Sequence, residues 1–264
     1  MSILVFIPMF NCAPQIPRVL KQLHRPEVAA LVEGVVCIDN RSDDGTAEAA
    51  KEALSHLPIR SRVLLRNDQN YGLGGSHKTA IAFARREGYD HLIVLHGDDQ
   101  GSIVDMLEPL NQGLHKEVDF LMGARFMPGS RLEGYSLIRT VANHVFNIIF
   151  SIISGKRLYD LGSGLNLFRI SAFDDGFHQR FADNLTFNYY LILAVASRGH
   201  SLRFFPLTWR EEDQVSNAKL GKMGFQILGL LWQRTVNKQR FFESEHRDVS
   251  RSSYTATELG RWSQ

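Results

Sequence analysis

An α/β fold with a mostly parallel sheet flanked by helices is predicted by three observations. Short, nearly continuous apolar runs have strand length, amphipathic segments of helical period separate them, and a polar cluster follows each run. The first run, 3–7, is closed by Pro8 and followed by helical spacing over 16–23. The second strand, 34–39, ends in Asn40-Arg-Ser-Asp-Asp-Gly45, and 46–54 is the next helix. A third strand, 62–66, runs into Asn70-Tyr-Gly-Leu-Gly-Gly75 and a helix over 76–87. The fourth, 91–95, ends at His96-Gly-Asp-Asp-Gln100. Beyond about residue 120 strands are expected at 120–124, 164–170 and 202–207, and helices at 137–153, 187–197 and 223–233. The folded unit is expected to be a single domain over 1–237, leaving 238–264 as a polar, loosely held tail.

Composition narrows the class. Of 264 residues 44% are hydrophobic, enough for a sizeable core. Thirty basic against 28 acidic residues, net +2, give no bias toward nucleic acid. Two cysteines, Cys12 and Cys37, argue for a reducing, cytoplasmic setting without a disulfide framework or zinc site. The N-terminus reads as a strand rather than a leader. The longest apolar stretch, 145–153, falls short of the roughly 20 residues that span a bilayer, so no crossing is expected.

In such a sheet the carboxyl ends of the strands form the binding crevice. Asp98 and Asp99 follow the fourth strand directly, and Gln100 adds another oxygen. Hard cations such as Mg²⁺ or Mn²⁺ prefer these ligands, shared with substrate phosphates. Gly-Asp-Asp is equally ordinary turn chemistry, so the local sequence leaves both readings open. Asp39 is either an acceptor for a nucleobase or a helix cap; Asp43 and Asp44, just before 46–54, are assigned the capping role. The glycines at 72, 74 and 75 fail the dinucleotide fingerprint because its third glycine falls at His77, leaving a backbone close to a nucleotide or plain turn glycine. Arg125, Arg139, Arg169, Arg210 and Lys219 follow strand or loop positions expected to face one cleft. Arginine suits pyrophosphate, although singly each reads as a surface charge. The ten histidines show no metal-ligand spacing, and no nucleophile triad is visible.

Together the segments resemble the family 2 inverting glycosyltransferases of GT-A fold, and within them the polyprenyl (dolichyl) phosphate sugar synthase branch, over roughly residues 3–222. Val5-Phe-Ile-Pro-Met-Phe-Asn11 resembles V-x-I-P-x-Y-N, with Cys12 where an acidic residue usually follows. Ile38-Asp-Asn-Arg-Ser-Asp-Asp-Gly-Thr46 is similar to V-D-D-G-S-x-D-G-T, with Asn40-Arg41 departing from Asp-Gly. Asn70-Tyr-Gly-Leu-Gly matches N-x-G-x-G, and His96-Gly-Asp-Asp-Gln falls on the D-x-D motif with His96 replacing its first aspartate. Gly123-Ala-Arg125 resembles G-S-R and Arg139 the next arginine. Asp160 to Arg169 resembles D-x-x-S-G-F-x-x-[FY]-R, and Arg210 with Ser216 and Lys219 resembles R-x-x-G-x-S-K.

The resemblance implies a Rossmann-like GT-A domain with a nucleotide-binding half, 1–100, and an acceptor-side half, 101–237. It implies Pro8, Phe10, Asn11, Asp39, Asn70, Gly72, Gly97 and Asp98 at the nucleotide, and Asp98, Gln100, His96 and secondarily Asp99 at Mg²⁺ or Mn²⁺. Arg125, Arg139, Ser163, Arg169, Ser216 and Lys219 are implied at donor and acceptor phosphates, with Arg210 beside them. The reaction would be one in-line displacement at the anomeric carbon of a UDP- or GDP-sugar. A polyprenyl-phosphate acceptor needs no protein base, whereas a glycan hydroxyl would need one, from Glu211, Glu212 or Asp213. The apolar segments 141–153 and 223–232 suit either the core or a membrane surface. A peripheral position at the inner face of the membrane, or a membrane-protein partner, is therefore open. A catalytically degenerate nucleotide-sugar-binding relative is the competing reading, motivated by His96, Asn40 and Arg41.

Overall fold

A computed structural model describes residues 2–211 and 220–263. The strands are β1 (Ile3–Met9), β2 (Gly34–Asp39), β3 (Ser61–Asn67), β4 (His91–Leu95), β5 (Phe120–Ala124), β6 (Arg131–Glu133), β7 (Leu165–Arg169), β8 (Leu202–Pro206), β9 (Thr208–Arg210) and β10 (Ala256–Ser263). The helices are α1 (Ile16–Lys21), α2 (Pro26–Ala29), α3 (Thr46–Ser55), α4 (Gly72–Arg86), α5 (Leu107–Asn111), α6 (Leu114–Glu117), α7 (Leu137–Ser154), α8 (Phe187–Ser197), α9 (Leu220–Val236) and α10 (Lys238–Glu243).

Eight strands form one sheet in the order β10-β3-β2-β1-β4-β7-β5-β8, while β6 and β9 pair separately. The sheet is mostly parallel: β3, β2, β1 and β4 run together, β5 and β8 run with each other, and β7 and β10 are antiparallel to their neighbours. Strand residues alternate between two apolar layers. Leu4, Phe6, Val36, Val94 and Phe120 face the α4, α7, α8 and α9 side, and Val5, Ile7, Val35, Cys37 and Ile93 face the α1 and α3 side. Burial on both faces explains why these strands lack a polar side. Both thiols lie in the buried layers, and burial pushes the Cys12 thiol up to about 12, so it is unreactive at neutral pH.

Three expectations change. The segment expected as a loose polar tail, 238–264, is part of the fold over 238–263: α10 packs Phe241 into the core, and β10 pairs along β3 from Ser61 to Asn67. A shift between Glu258 and Gly260 and an outward polar face hide this edge strand from a periodicity reading. The segment is anchored by Asp183, whose carboxylate accepts Tyr254 Oη at 2.6 Å, Arg251 Nη1 at 2.9 Å and the buried Lys78 Nζ at 2.7 Å. Second, α4 begins at Gly72 rather than Ser76, taking in the glycine segment. Third, α7 is long and apolar enough by length and composition to cross a membrane. Its Phe150 is nevertheless buried in the core, and its Asn147 Nδ2 donates to Tyr159 O at 2.7 Å.

Candidate active site

Because β1 to β4 are parallel, the loops after them meet along one edge, and short polar side chains stitch them together. Asn11, at φ 49, accepts the Asp43 N–H at 3.1 Å and donates its own N–H to Ser42 Oγ at 3.0 Å. Phe10 beside it remains 45% exposed. Asp39 is wholly buried; it accepts Arg66 Nε at 2.7 Å on one oxygen and the Ser42 N–H at 3.1 Å on the other. It does not cap α3. The N-cap of α3 is Gly45, so neither Asp43 nor Asp44 occupies the capping position; Asp44, just before it, accepts the Thr46 and Ala13 N–H groups, each at 3.0 Å.

Asn40 is the hub of this edge. Its Oδ1 accepts Asn67 Nδ2 and the Tyr71 N–H, both at 2.9 Å, and its Nδ2 donates to Asn70 Oδ1 at 2.7 Å. By sequence alone Asn40 is only a departure from Asp. Three asparagines, each at or just past the end of a run of the parallel set, were the available signal. Gly72 has a packing reason of its own. At φ +71 a Cβ there would lie 2.4 Å from Asp183 O, so the glycine admits the 183 segment against α4.

The β4 loop forms the floor. Gly97 N–H donates to Pro8 O at 3.2 Å, and a Cβ at 97 would approach that oxygen to 2.8 Å, so only glycine lets the β1 and β4 loops cross. His96 N–H donates to Gly164 O at 3.0 Å, which ties the β4 loop to the start of β7. Asp98 keeps 38% of its side chain open, and its Oδ2 lies 3.9 Å from His96 Nδ1. Burial pushes the Asp98 pKa up to about 6, helped by the Asp99 charge and opposed by the Gln100 N–H and Arg125. Burial, with the nearby Arg125 charge, pushes His96 down to about 4. At neutral pH the pair is therefore a carboxylate beside a neutral imidazole.

Asp99, adjacent in sequence, does not join it. In the left-handed conformation (φ 60) its carboxylate turns to the α1 side and accepts Arg18 Nε at 2.8 Å and Gln22 Nε2 at 3.1 Å. Asp99 is thus removed from the candidate metal ligands. Among the described residues no three His, Cys, Asp or Glu side chains converge as a complete cage. Asp98 with His96 Nδ1 and the neighbouring Gln100 fits a cation whose other ligands are substrate phosphates and water. His96 Nε2 is buried without a hydrogen-bond partner, so the orienting bond usual for metal-bound histidine is missing.

The other wall is built from β5, the start of β7, and β9. Arg125 binds Asp160 bidentately, Nε to Oδ2 and Nη2 to Oδ1 at 2.8 Å each, and its guanidinium lies 4.9 Å from the Trp209 ring centre. Ser163 is buried and donates to Gly123 O at 2.7 Å, joining β5 to β7; its hydroxyl is a strand clamp rather than an open phosphate contact. Arg210 N–H donates to Gln100 O at 2.9 Å, tying β9 to the β4 loop. Arg139, on the first turn of α7, donates from Nη1 to Glu211 Oε2 at 2.7 Å and lies over the Tyr135 ring. Arg169 is not at the cleft. Because β7 is antiparallel to β4, Arg169 pairs with His91 at the opposite edge, where it donates to the carbonyls of His115, Lys116 and Val118. Glu212, Asp213, Ser216 and Lys219 lie outside the described residues.

Residues 4–177 match the family described as Glycosyl transferase family 2. The chain belongs to glycosyl transferase family 2. Glycosyltransferase AglJ of Haloferax volcanii is 26% identical to this transferase over 247 residues, covering 91% of this chain and 75% of that protein. The UDP-N-acetylglucosamine–dolichyl-phosphate N-acetylglucosaminyltransferase of Methanococcus voltae is 22% identical over 180 residues, covering 64% and 70%. Glucosyl-3-phosphoglycerate synthase of Mycobacterium tuberculosis, crystallised with Mn²⁺, UDP-glucose and phosphoglyceric acid, superposes with a TM-score of 0.63 at 17% identity, over 89% of this chain and 80% of that one. The shared architecture is the GT-A fold.

In this family 2 transferase, Pro8, Phe10, Asn11, Asp39, Asn70, His96, Gly97, Asp98 and Gln100 lie along one sheet edge, with Arg125, Arg210 and the Arg139–Glu211 pair across from them. Beyond Asn40, the sequence reading missed the roles of Asp160, which holds Arg125, and Trp209, which backs it. An acidic residue about 35 positions from an arginine carries no pairing signal until β5 and β7 are known to be neighbours.

Proposed function

We propose that this transferase moves a sugar from a UDP- or GDP-sugar to a polyprenyl phosphate with inversion at the anomeric carbon, as in the polyprenyl-phosphate sugar synthase branch. One observation carries the acceptor assignment. Of the candidate bases, Glu211 is the one among the described residues, and Arg139 holds its carboxylate at 2.7 Å. A hydroxyl acceptor needs a base to take its proton, and the Glu211 carboxylate is already engaged by Arg139. A phosphate acceptor arrives as an anion and attacks directly. A relative named for transfer from UDP-N-acetylglucosamine to dolichyl phosphate, and a fold neighbour crystallised with Mn²⁺ and UDP-glucose, support the same donor and acceptor classes.

The residues divide the work. Asn11, Asp39 and the Asn40–Asn70 contacts shape the nucleotide side. Mg²⁺ or Mn²⁺ held by Asp98, with His96 Nδ1 and Gln100 beside it, would supply positive charge to the leaving diphosphate. Arg125, locked by Asp160, adds a fixed positive charge that reaches both Asp98 and His96. His96, neutral because it is buried, adds no charge of its own. A lipid acceptor implies work at the cytoplasmic face of a membrane.

The test is nucleoside diphosphate release from a panel of UDP- and GDP-sugars, with and without polyprenyl phosphate and Mn²⁺. Release that depends on the lipid phosphate is expected. Release onto a glycan hydroxyl without lipid phosphate would replace the acceptor assignment, and nucleotide binding without turnover of any donor would replace the enzyme by a binding relative.

A further inference from the structure

We infer that the outer faces of α7 and α9 form a docking surface for an anionic lipid bilayer, on which the protein lies without crossing it. Thirteen large apolar side chains are exposed among the described residues, and ten of them stand on these two helices, six on α7 and four on α9. Scattered exposed apolar residues need no explanation; a concentration of this kind does. On α7 the exposed set Leu137, Val141, Val145, Ile148 and Ile152 recurs every three or four residues. On α9 Phe225, Leu228, Trp232 and Val236 repeat the same spacing, with Phe225 80% and Trp232 70% exposed.

The opposite faces of both helices are apolar as well, and those are the faces in the core. Phe150 of α7 and Ile227, Leu230 and Leu231 of α9 are buried there, and the two helices touch. A helix apolar all round is normally buried all round. Here the domain covers one side only. With Phe150 in the core, Asn147 bound to Tyr159 and Arg139 bound to Glu211, α7 is held on the domain, so it can rest on a bilayer but not thread through one.

Charge selects the occupant. Residues 134–159 and 224–242 contain six basic residues (Arg139, Lys156, Arg157, Arg234, Lys238 and Arg240) and no acidic one. The rest of the chain therefore has 24 basic against 28 acidic residues, although the whole is +2. Arg157, Lys238 and Arg240 are exposed just beyond the helix ends. Basic side chains beside an apolar surface with exposed aromatics suit an interface with anionic lipid headgroups. A second copy docking through the same face would set like charges against like.

This surface stands apart from the assignment of the sugar acceptor, and vesicle binding is read without donor or turnover. The full chain is sedimented with phosphatidylcholine vesicles and with vesicles that also contain phosphatidylglycerol, at low and physiological salt. Binding to the anionic vesicles, weakened by salt and absent from the neutral ones, is expected. Trp232→Ser with Ile152→Ser should weaken it on the order of tenfold per side chain removed, and Arg157→Gln with Lys238→Gln roughly fivefold per charge. Circular dichroism checks the fold, and Trp232→Ala alone serves if the double apolar variant fails to fold. Three results would overturn the inference: no vesicle binding, equal and salt-independent binding to both vesicle types, or a dimer in analytical ultracentrifugation that the apolar variants dissolve.

Discussion

The two walls of the cleft are held by different physical means. Along the edge of β2 and β3, the loop after β2 and the end of β3 share a mesh of neutral amides around Asn40, in which the Asn40, Asn67 and Asn70 side chains each have more than one partner. On the opposite wall, position rests on two ion pairs, Arg125–Asp160 and Arg139–Glu211, backed by aromatic rings. A mesh spreads the loss of one member, whereas a buried pair that loses one partner strands a charge. Between the walls, Asp98 and Asp99 diverge at one peptide bond: one lies beside His96 and accepts the Gln100 N–H, and the other turns to Arg18 and Gln22.

Substitutions can break or sharpen that contrast. The largest effect is expected for Asp160→Ala, which leaves the Arg125 charge without its bidentate partner and should cost about 3–5 kcal/mol in chemical denaturation. Asn70→Ala in the mesh should cost about 1–2 kcal/mol, and equal losses would erase the distinction between the walls. Next comes Asp98→Ala, expected to lower kcat/KM by roughly a hundredfold or more with the melting temperature retained. Asp99→Ala should stay within about tenfold of the parent, since its salt bridge with Arg18 lies off the cleft. The reverse order in this pair would undo the assignment of the metal ligand.

Smaller effects follow. The Asp98 pKa is raised to about 6, so its ionised form prevails above that value and is lost below it. Mn²⁺-dependent binding of a nucleoside diphosphate, measured by calorimetry, should therefore be flat from pH 8 to 7 and fall by about tenfold per unit below about 6. Asp98→Asn should abolish the Mn²⁺-dependent part of the binding at every pH. Tyr254→Phe takes one donor from Asp183 and should cost about 1 kcal/mol, whereas a loose tail would register nothing. Arg139→Gln should cost less than Asp160→Ala, because its pair with Glu211 is 24% and 20% exposed whereas Arg125–Asp160 is 13% and 2%. A rise in the apparent KM for the acceptor without a matching fall in kcat would then mark Arg139 as a binding residue.

Local pattern carried much of the fold. Gly34–Asp39, His91–Leu95, Phe120–Ala124 and Phe187–Ser197 have the bounds expected from apolar runs and helical period, because each is buried through most of its length and its own residues announce that. The segment 238–264 was misread because an edge strand needs only one pairing partner and tolerates a polar outer face. Arg169 was misread for a different reason: its motif position says which residues are near it in sequence, and strand direction says which edge it reaches.

By itself the amino-acid sequence determined the α/β class, the alternation of the first four strands with their helices, and the carboxylate loop at the end of the fourth strand. These depend on period, burial and turn chemistry within a few residues. Only the tertiary structure decided which of two adjacent aspartates turns to Arg18 and Gln22, that Asn40 ties the β2 loop to the end of β3 and the loop after it, that Arg125 is spent on Asp160, and that α7 keeps one apolar face uncovered. Each of those depends on contacts between segments distant in the chain. A side chain's partner is set by strand order and direction, which local composition does not encode.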